Sequence, residues 1–222
     1  MMENFTLSNG VSIPAVGYGT YLADCDSAAV VENALRAGYR HFDTASFYGN
    51  EAELGRALQQ CGAARGMLFL TSKLWKTELG YRQALDAFER SLEKLGTDYL
   101  DLYLIHWPRP DDLSAEWAEL DRGTWRALEE LYHAGRVRAI GVSNFLPHHL
   151  RSLMETAEVA PMVNQIEFHP GYPQTWNVEF CKAHGILPEA WSPLGRTRVL
   201  DDPFLRELAA GYGKSVAQLC LR

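Results

Sequence analysis

The sequence predicts an α/β protein, a (β/α)8 TIM barrel present as about seven strands and preceded by an N-terminal β-hairpin. Three observations carry this. Short β-branched or apolar runs alternate with amphipathic stretches along the whole chain, an order that requires a parallel sheet with right-handed crossovers. Seven such strands recur at a spacing of roughly 25–30 residues, which favours a barrel over a doubly wound sheet. No linker or low-complexity stretch interrupts them, so residues 1–222 read as one barrel domain, incomplete by its eighth strand.

The elements follow in order. Phe5-Thr6-Leu7 and Val11-Ser12-Ile13 flank Ser8-Asn9-Gly10, and Asn-Gly between such runs signals a hairpin. Ala15-Val16-Gly17 reads as the first barrel strand. Residues 27–37 read as a helix, with Asp26 or Ser27 as cap and Gly38 as stop. His41-Phe42-Asp43 is the second strand. Residues 50–60 form a helix with Asn50 as N-cap and Glu51 and Glu53 in the first turn, where the helix dipole favours carboxylates. Strand 67–73 precedes helix 80–95, closed by Gly96, and strand 99–105 precedes helix 121–133, closed by Gly135. Strands 137–142, 162–167 and 186–191 alternate with helices 147–156, 174–184 and 203–212, and a last helix begins at Ser215. The sequence stops inside that helix at Leu219-Cys220-Leu221-Arg222, so the pattern supplies seven barrel strands and leaves the first and seventh as edges open to self-association.

Composition narrows the function. Six Trp, ten Tyr and nine Phe supply ample core, which excludes a disordered chain. A net charge of −7 and no dense Lys/Arg cluster argue against nucleic acid as partner. No apolar stretch approaches the ~20 residues needed to span a bilayer, and no secretory signal opens the sequence. Cys25, Cys61, Cys181 and Cys220 lie far apart, as expected for reduced thiols in a cytoplasmic protein.

Barrel active sites sit at the C-terminal ends of the strands, which selects candidates directly. The second strand ends at Asp43, with Tyr48 close behind; the third ends at Lys73 and the fourth at His106. A carboxylate, a phenol, an amine and an imidazole therefore meet at one mouth. A phenol is a poor acid at neutral pH, but a neighbouring ammonium lowers its pKa. A carboxylate holds that ammonium charged, and an imidazole orients a carbonyl oxygen or relays a proton. The set suits protonation of a carbonyl oxygen while something else attacks the carbon. Singly, each has an ordinary structural explanation; together at three consecutive strand ends they point to catalysis. Tyr21, Phe47, Trp75 and Trp107 cluster at the same mouth and suit an apolar substrate pocket.

Several segments resemble the aldo-keto reductase family: Gly38-Tyr39-Arg40-His41-Phe42-Asp43-Thr44-Ala45 with Tyr48-Gly49-Asn50-Glu51, Thr71-Ser72-Lys73-Leu74-Trp75, Leu100 through Pro108, Gly141-Val142-Ser143-Asn144-Phe145, Asn164-Gln165-Ile166-Glu167 and Ala190-Trp191-Ser192-Pro193-Leu194-Gly195. The likeness runs in order over essentially the whole chain, and the short loops suggest the bacterial 2,5-diketo-D-gluconate reductase-like branch. The resemblance implies a catalytic tetrad of Asp43, Tyr48, Lys73 and His106, with Tyr48 as general acid. It implies an NADPH (NADP) cofactor and no metal. Ser143, Asn144 and Gln165 would bond the nicotinamide carboxamide, Trp191 would stack on its ring, and Ser192 and Leu194 would meet the pyrophosphate. Gly19 and Thr20 would lie beside the nicotinamide and Tyr21 beside the substrate. Family members are monomers that reduce small carbonyl compounds. They continue through an eighth strand and a basic segment that grips the adenosine 2′-phosphate, and this sequence ends before both. The alternative is therefore a non-catalytic barrel, a binding module or fragment.

Other signals are discounted. Gly213-Lys214-Ser215 lacks the earlier P-loop glycine, since Leu208 stands there. Gly17-Tyr18-Gly19 lacks the third glycine of a dinucleotide fingerprint. His148-His149 has no zinc-ligand spacing. Asp43 and Glu167 make a poor glycosidase pair beside an intact Tyr-Lys-His set.

Overall fold

The computed structural model describes residues 3–23, 28–109 and 115–222. Strands β1 (Asn4–Thr6) and β2 (Ser12–Pro14) form the expected antiparallel hairpin, with Phe5 opposite Ile13. Asn9 at its turn donates to the Arg138 carbonyl at 2.9 Å, and Leu7 and Ile13 are buried. The hairpin thereby caps the N-terminal end of the barrel.

Seven parallel strands follow in spatial order identical to chain order: β3 (Gly17–Gly19), β4 (His41–Asp43), β5 (Phe69–Leu74), β6 (Leu100–Ile105), β7 (Val137–Ser143), β8 (Val163–Glu167) and β9 (Leu187–Trp191). The sheet is a nearly closed barrel with β3 and β9 as its edges. Gln165 on β8 spans the interior to bond Asp43 on β4. Pro188, which lacks an N–H, falls on an edge strand, where a missing donor is tolerated.

Around the sheet lie α1 (Ala28–Arg36), α2 (Glu51–Gln60), α3 (Tyr81–Leu95), α4 (Trp117–His133), α5 (Pro147–Met154), α6 (Thr175–Ala183), α7 (Pro203–Gly211) and α8 (Val216–Leu221). Helix α3 shows why these stretches fold so: Ala84, Ala87, Phe88, Ser91, Leu92 and Leu95 make one buried stripe at helical spacing. Gly96 ends it at φ 64°, and its N–H bonds the Glu93 carbonyl. Between sheet and helices the core is continuous, with Trp125, Tyr103, Phe42, Phe88 and Phe145 its largest wholly buried aromatic side chains.

Three expectations change. The first barrel strand is Gly17–Gly19, not Ala15–Gly17, because Gly17 must lie opposite His41 for Gly19 to reach Asp43. Helix α4 begins at Trp117, four residues early, since Trp117 packs on His149 of α5. Asn50 stands at the N-cap of α2 but makes no capping bond; its side chain is used elsewhere, as described below. Asp26, Ser27 and Cys25 lie outside the described residues. The other thiols, Cys61, Cys181 and Cys220, are free. Among the described residues no helix is long and apolar enough to cross a membrane.

Candidate active site

Strands β4, β5 and β6 deliver the four predicted groups to one point. Lys73 is completely buried and projects from β5. Its Nζ donates to Asp43 Oδ1 at 2.5 Å and to the Thr44 carbonyl at 3.0 Å, and it lies 3.5 Å from the Tyr48 hydroxyl. Tyr48 ends a short 3-10 turn, Ser46–Tyr48, that Gly49 closes in a left-handed conformation. The His106 ring stands 5.7 Å from the Tyr48 ring, edge to face.

The electrostatics follow from burial first. Desolvation opposes the Lys73 ammonium, but the Asp43 carboxylate and Tyr48 more than offset it, and its pKa is raised. Tyr48 differs from expectation. Burial raises its pKa, and the pull of Lys73 in the opposite direction offsets only part of that rise. His106 is held down to about 3 by burial and by Lys73 and Lys76, so its imidazole is neutral at physiological pH. Neutral imidazole orients an oxygen by hydrogen bonding rather than acting as a cationic acid.

The four aromatic candidates surround this centre. Phe47 stacks on Trp75 at 3.9 Å between centroids, and Trp75 meets His106 edge-on at 5.0 Å. Tyr21 lies 5.0 Å from Tyr48. Trp107 joins through Lys76, which sits over both tryptophans. Tyr21, Phe47 and Trp107 are exposed, forming an apolar rim around a polar floor.

Beside that floor the ends of β7, β8 and β9 form an amide-rich shelf. Ser143 donates to the Gln165 carbonyl at 2.8 Å. Asn144 donates to the His106 carbonyl and accepts from the Trp191 indole N–H, each at 2.9 Å. Asn144 holds φ 63°, an uncommon conformation that asparagine tolerates best among side-chain-bearing residues. Gln165 donates to Asp43 Oδ2 at 2.9 Å, joining shelf and tetrad. Gly19 pairs with Asp43 in the sheet, and the Thr20 hydroxyl bonds the Asp43 carbonyl at 3.0 Å. Beyond Trp191, Ser192, Gly195, Arg196 and Thr197 all have positive φ. This tightly turned run after Leu194 carries Arg196 and Arg198. Amide-binding side chains, a partly exposed indole and a turned basic loop in succession fit a nicotinamide ring followed by a pyrophosphate.

Two residues hold the site together that the sequence did not single out for that role. Asn50 Nδ2 donates to the Thr20 carbonyl at 2.8 Å and its Oδ1 accepts from Thr44 at 3.0 Å, clamping the loops after β3 and β4. Glu78 Oε2 accepts from Ser46 at 2.7 Å and from the Trp75 backbone at 2.8 Å, tying the Tyr48 turn to the end of β5. Asn50 was visible as a cap and as part of a segment resembling the family, and Glu78 carried no distinguishing signal.

The Aldo/keto reductase family profile matches residues 13–222. A glyoxal reductase of Bacillus subtilis is 47% identical over 100% of this chain and 78% of its own. The crystal structure of an aldo/keto reductase from Brucella melitensis superposes with a TM-score of 0.92 at 46% identity, covering 100% of this chain and 83% of that one. An aldo-keto reductase of Bombyx mori, solved in complex with NADP, gives a TM-score of 0.88 at 34% identity over 99% and 79%. With the tetrad, the aromatic rim and the amide shelf at one barrel mouth, this chain belongs to the aldo/keto reductase family of oxidoreductases, which act on carbonyl compounds.

Proposed function

We propose that the protein reduces small aldehydes and ketones to alcohols with NADPH, and that Tyr48 is the general acid. The observation that carries this is the buried Lys73 ammonium, 2.5 Å from Asp43 and 3.5 Å from the Tyr48 hydroxyl under an aromatic-rimmed opening. When bound, the nicotinamide dinucleotide supplies the hydride for the carbonyl carbon. Ser143, Asn144 and Gln165 would hold its carboxamide, Trp191 its ring, Ser192 and Leu194 its pyrophosphate, and Gly19, Thr20 and Asp43 would line the nicotinamide end.

The remaining chemistry belongs to the side chains. The substrate carbonyl oxygen accepts a hydrogen bond from neutral His106 and a proton from Tyr48 Oη. Lys73 stabilises the phenolate left behind, and Asp43 keeps Lys73 charged and in place. Tyr21, Phe47, Trp75 and Trp107 shed water from the opening, which strengthens each of these interactions. The glyoxal reductase relative makes short dicarbonyls sensible first substrates. A non-catalytic barrel has less in its favour: a scaffold gains nothing from a wholly buried ammonium aimed at its open end, since burying such a charge costs several kcal/mol.

The test is Tyr48→Phe, assayed with glyoxal and NADPH. Turnover should fall at least about a hundredfold, the usual contribution of a positioned acid. Quenching of Trp191 fluorescence by NADPH should persist. Turnover within a few-fold of wild type would remove Tyr48 from the role of acid.

A further inference from the structure

The barrel floor holds one carboxylate more than the tetrad uses. Glu189 lies on β9 opposite Gln165 of β8. As part of an edge strand the residue is partly accessible, yet its Oε2 is shut off from water and accepts no hydrogen bond from any described residue. Ligand atoms of His41, Asp43 and Glu189 all lie within 4.8 Å of one another. The Gln165 amide that donates to Asp43 also faces Glu189. The Lys73 ammonium therefore feels two carboxylates, not one. A metal ion is a poor occupant: Asp43 already commits one oxygen to Lys73 and the other to Gln165, and Lys73 supplies the positive charge.

We propose that Glu189 is a positioning residue for the proton step, acting through Lys73: its protonation sets how much of the ammonium's field reaches Tyr48. This rests on the reading of Tyr48 as proton donor. With Glu189 neutral, Asp43 alone balances Lys73. With Glu189 ionised, two negative charges face one ammonium, the phenolate is less stabilised, and Tyr48 releases its proton less readily. Carbonyl reduction is then favoured on the acid side of the Glu189 titration. Burial and the Asp43 charge raise Glu189 to about 7, against weaker opposing effects of Gln165 and Lys73. Four other groups around the floor do not change charge near neutrality. His41 on β4 is held to about 4 and His106 after β6 to about 3, while Lys73 and Tyr48 are both shifted upward.

The experiment uses the cofactor-free protein with 13C-labelled tyrosine rings, the Tyr48 signal being assigned by its loss in Tyr48→Phe. Between about pH 5 and 9, the range in which a switch near neutrality is visible, the wild-type Tyr48 signal should inflect near pH 7 while Tyr48 itself stays protonated. The inflection should vanish in Glu189→Gln and persist, displaced, in Glu189→Asp. In parallel, kcat for glyoxal reduction by NADPH should fall through the same inflection in wild type and lose that limb in Glu189→Gln. A flat wild-type signal overturns the proposal without any variant. So does an unchanged inflection in Glu189→Gln. An inflection of the expected form in a protein that reduces no carbonyl at any pH would instead overturn the catalytic reading of Tyr48 and uphold the coupling from Glu189.

Discussion

A buried ammonium is tolerated only where its partners stand ready, and Lys73 has three: Asp43, the Thr44 carbonyl and the Tyr48 hydroxyl. The burial that makes Lys73 costly also raises the pKa of Tyr48, so the phenol depends on Lys73 for whatever acidity it has. Removing the ammonium with a side chain of similar length isolates that dependence. Lys73→Met should lower kcat for carbonyl reduction by about two orders of magnitude or more, and the Tyr48 titration should move further upward. It should also leave Asp43 holding an unbalanced buried charge, so stability should drop by about 3 kcal/mol at neutral pH, as when one partner of a buried pair is deleted. A Lys73→Met enzyme with wild-type kcat and an unshifted pH profile would show that Tyr48 does not rely on Lys73.

Element by element, the sequence was most legible where a strand, helix or stop signal was strong. The seven barrel strands stand in the order their spacing predicted, and Tyr48, Lys73 and His106 meet because they lie at the C-terminal ends of consecutive strands. Legibility failed where tertiary contacts override local signals. Ala15-Val16-Gly17 has a better strand composition than Gly17-Tyr18-Gly19, but pairing with β4 decides the register. Asn50 has the chemistry of a cap, yet two loop partners 30 and 6 residues away take its side chain. A single sequence shows no long-range partner, so Glu78 reads as an ordinary acid, and Pro188-Glu189 reads only as an unusual pair at the end of a strand. Close approach between strands is equally hidden. A Cβ on Gly141 of β7 would stand 2.6 Å from the Val163 carbonyl oxygen of β8 and 2.9 Å from Leu104 of β6. The carbonyl oxygen cannot retreat without moving its strand. Gly141→Ala should therefore destabilise the fold by about 1–3 kcal/mol, the usual range for overpacking. Since β7 ends in Ser143, the same substitution should raise the KM for NADPH. An alanine variant with unchanged melting temperature would mean that β7 and β8 separate more easily than their packing implies.

For the whole molecule, the shifted groups outside and inside the site predict how stability follows pH. His41, His106 and His149 are lowered from 6.5 to about 4, 3 and 4, in each case chiefly by burial. They stay neutral in the fold while the unfolded chain takes up protons, so the stability they confer is present above about pH 6.5 and is lost as pH falls toward 4 and 3. Asp121 behaves oppositely. Among the described residues neither of its buried oxygens on α4 has a partner, and burial raises it from 3.8 to about 9. It is protonated in the fold, and its contribution declines as pH rises from about 4 to 9, as does that of Glu189 from 4.5 to about 7. Between 4.5 and 6.5 the histidines outnumber the acids and stability rises; above 6.5 only the acids act and it falls, by about 1.4 kcal/mol per pH unit for each titrating group at most. Melting temperature measured across pH should peak near 6.5 and decline on both sides. Asp121→Asn keeps the hydrogen-bonding shape and removes the charge. It should flatten the alkaline limb and stabilise the fold at pH 8, by at most about 1.4 kcal/mol for each pH unit above 4, because the fold no longer has to keep a carboxyl protonated that ionises in the unfolded chain. The acid limb should steepen, because Asp121 no longer opposes the histidines between about pH 4 and 6.5. An Asp121→Asn profile that tracks wild type above pH 7 would mean that Asp121 ionises freely in the fold and that water reaches α4 there.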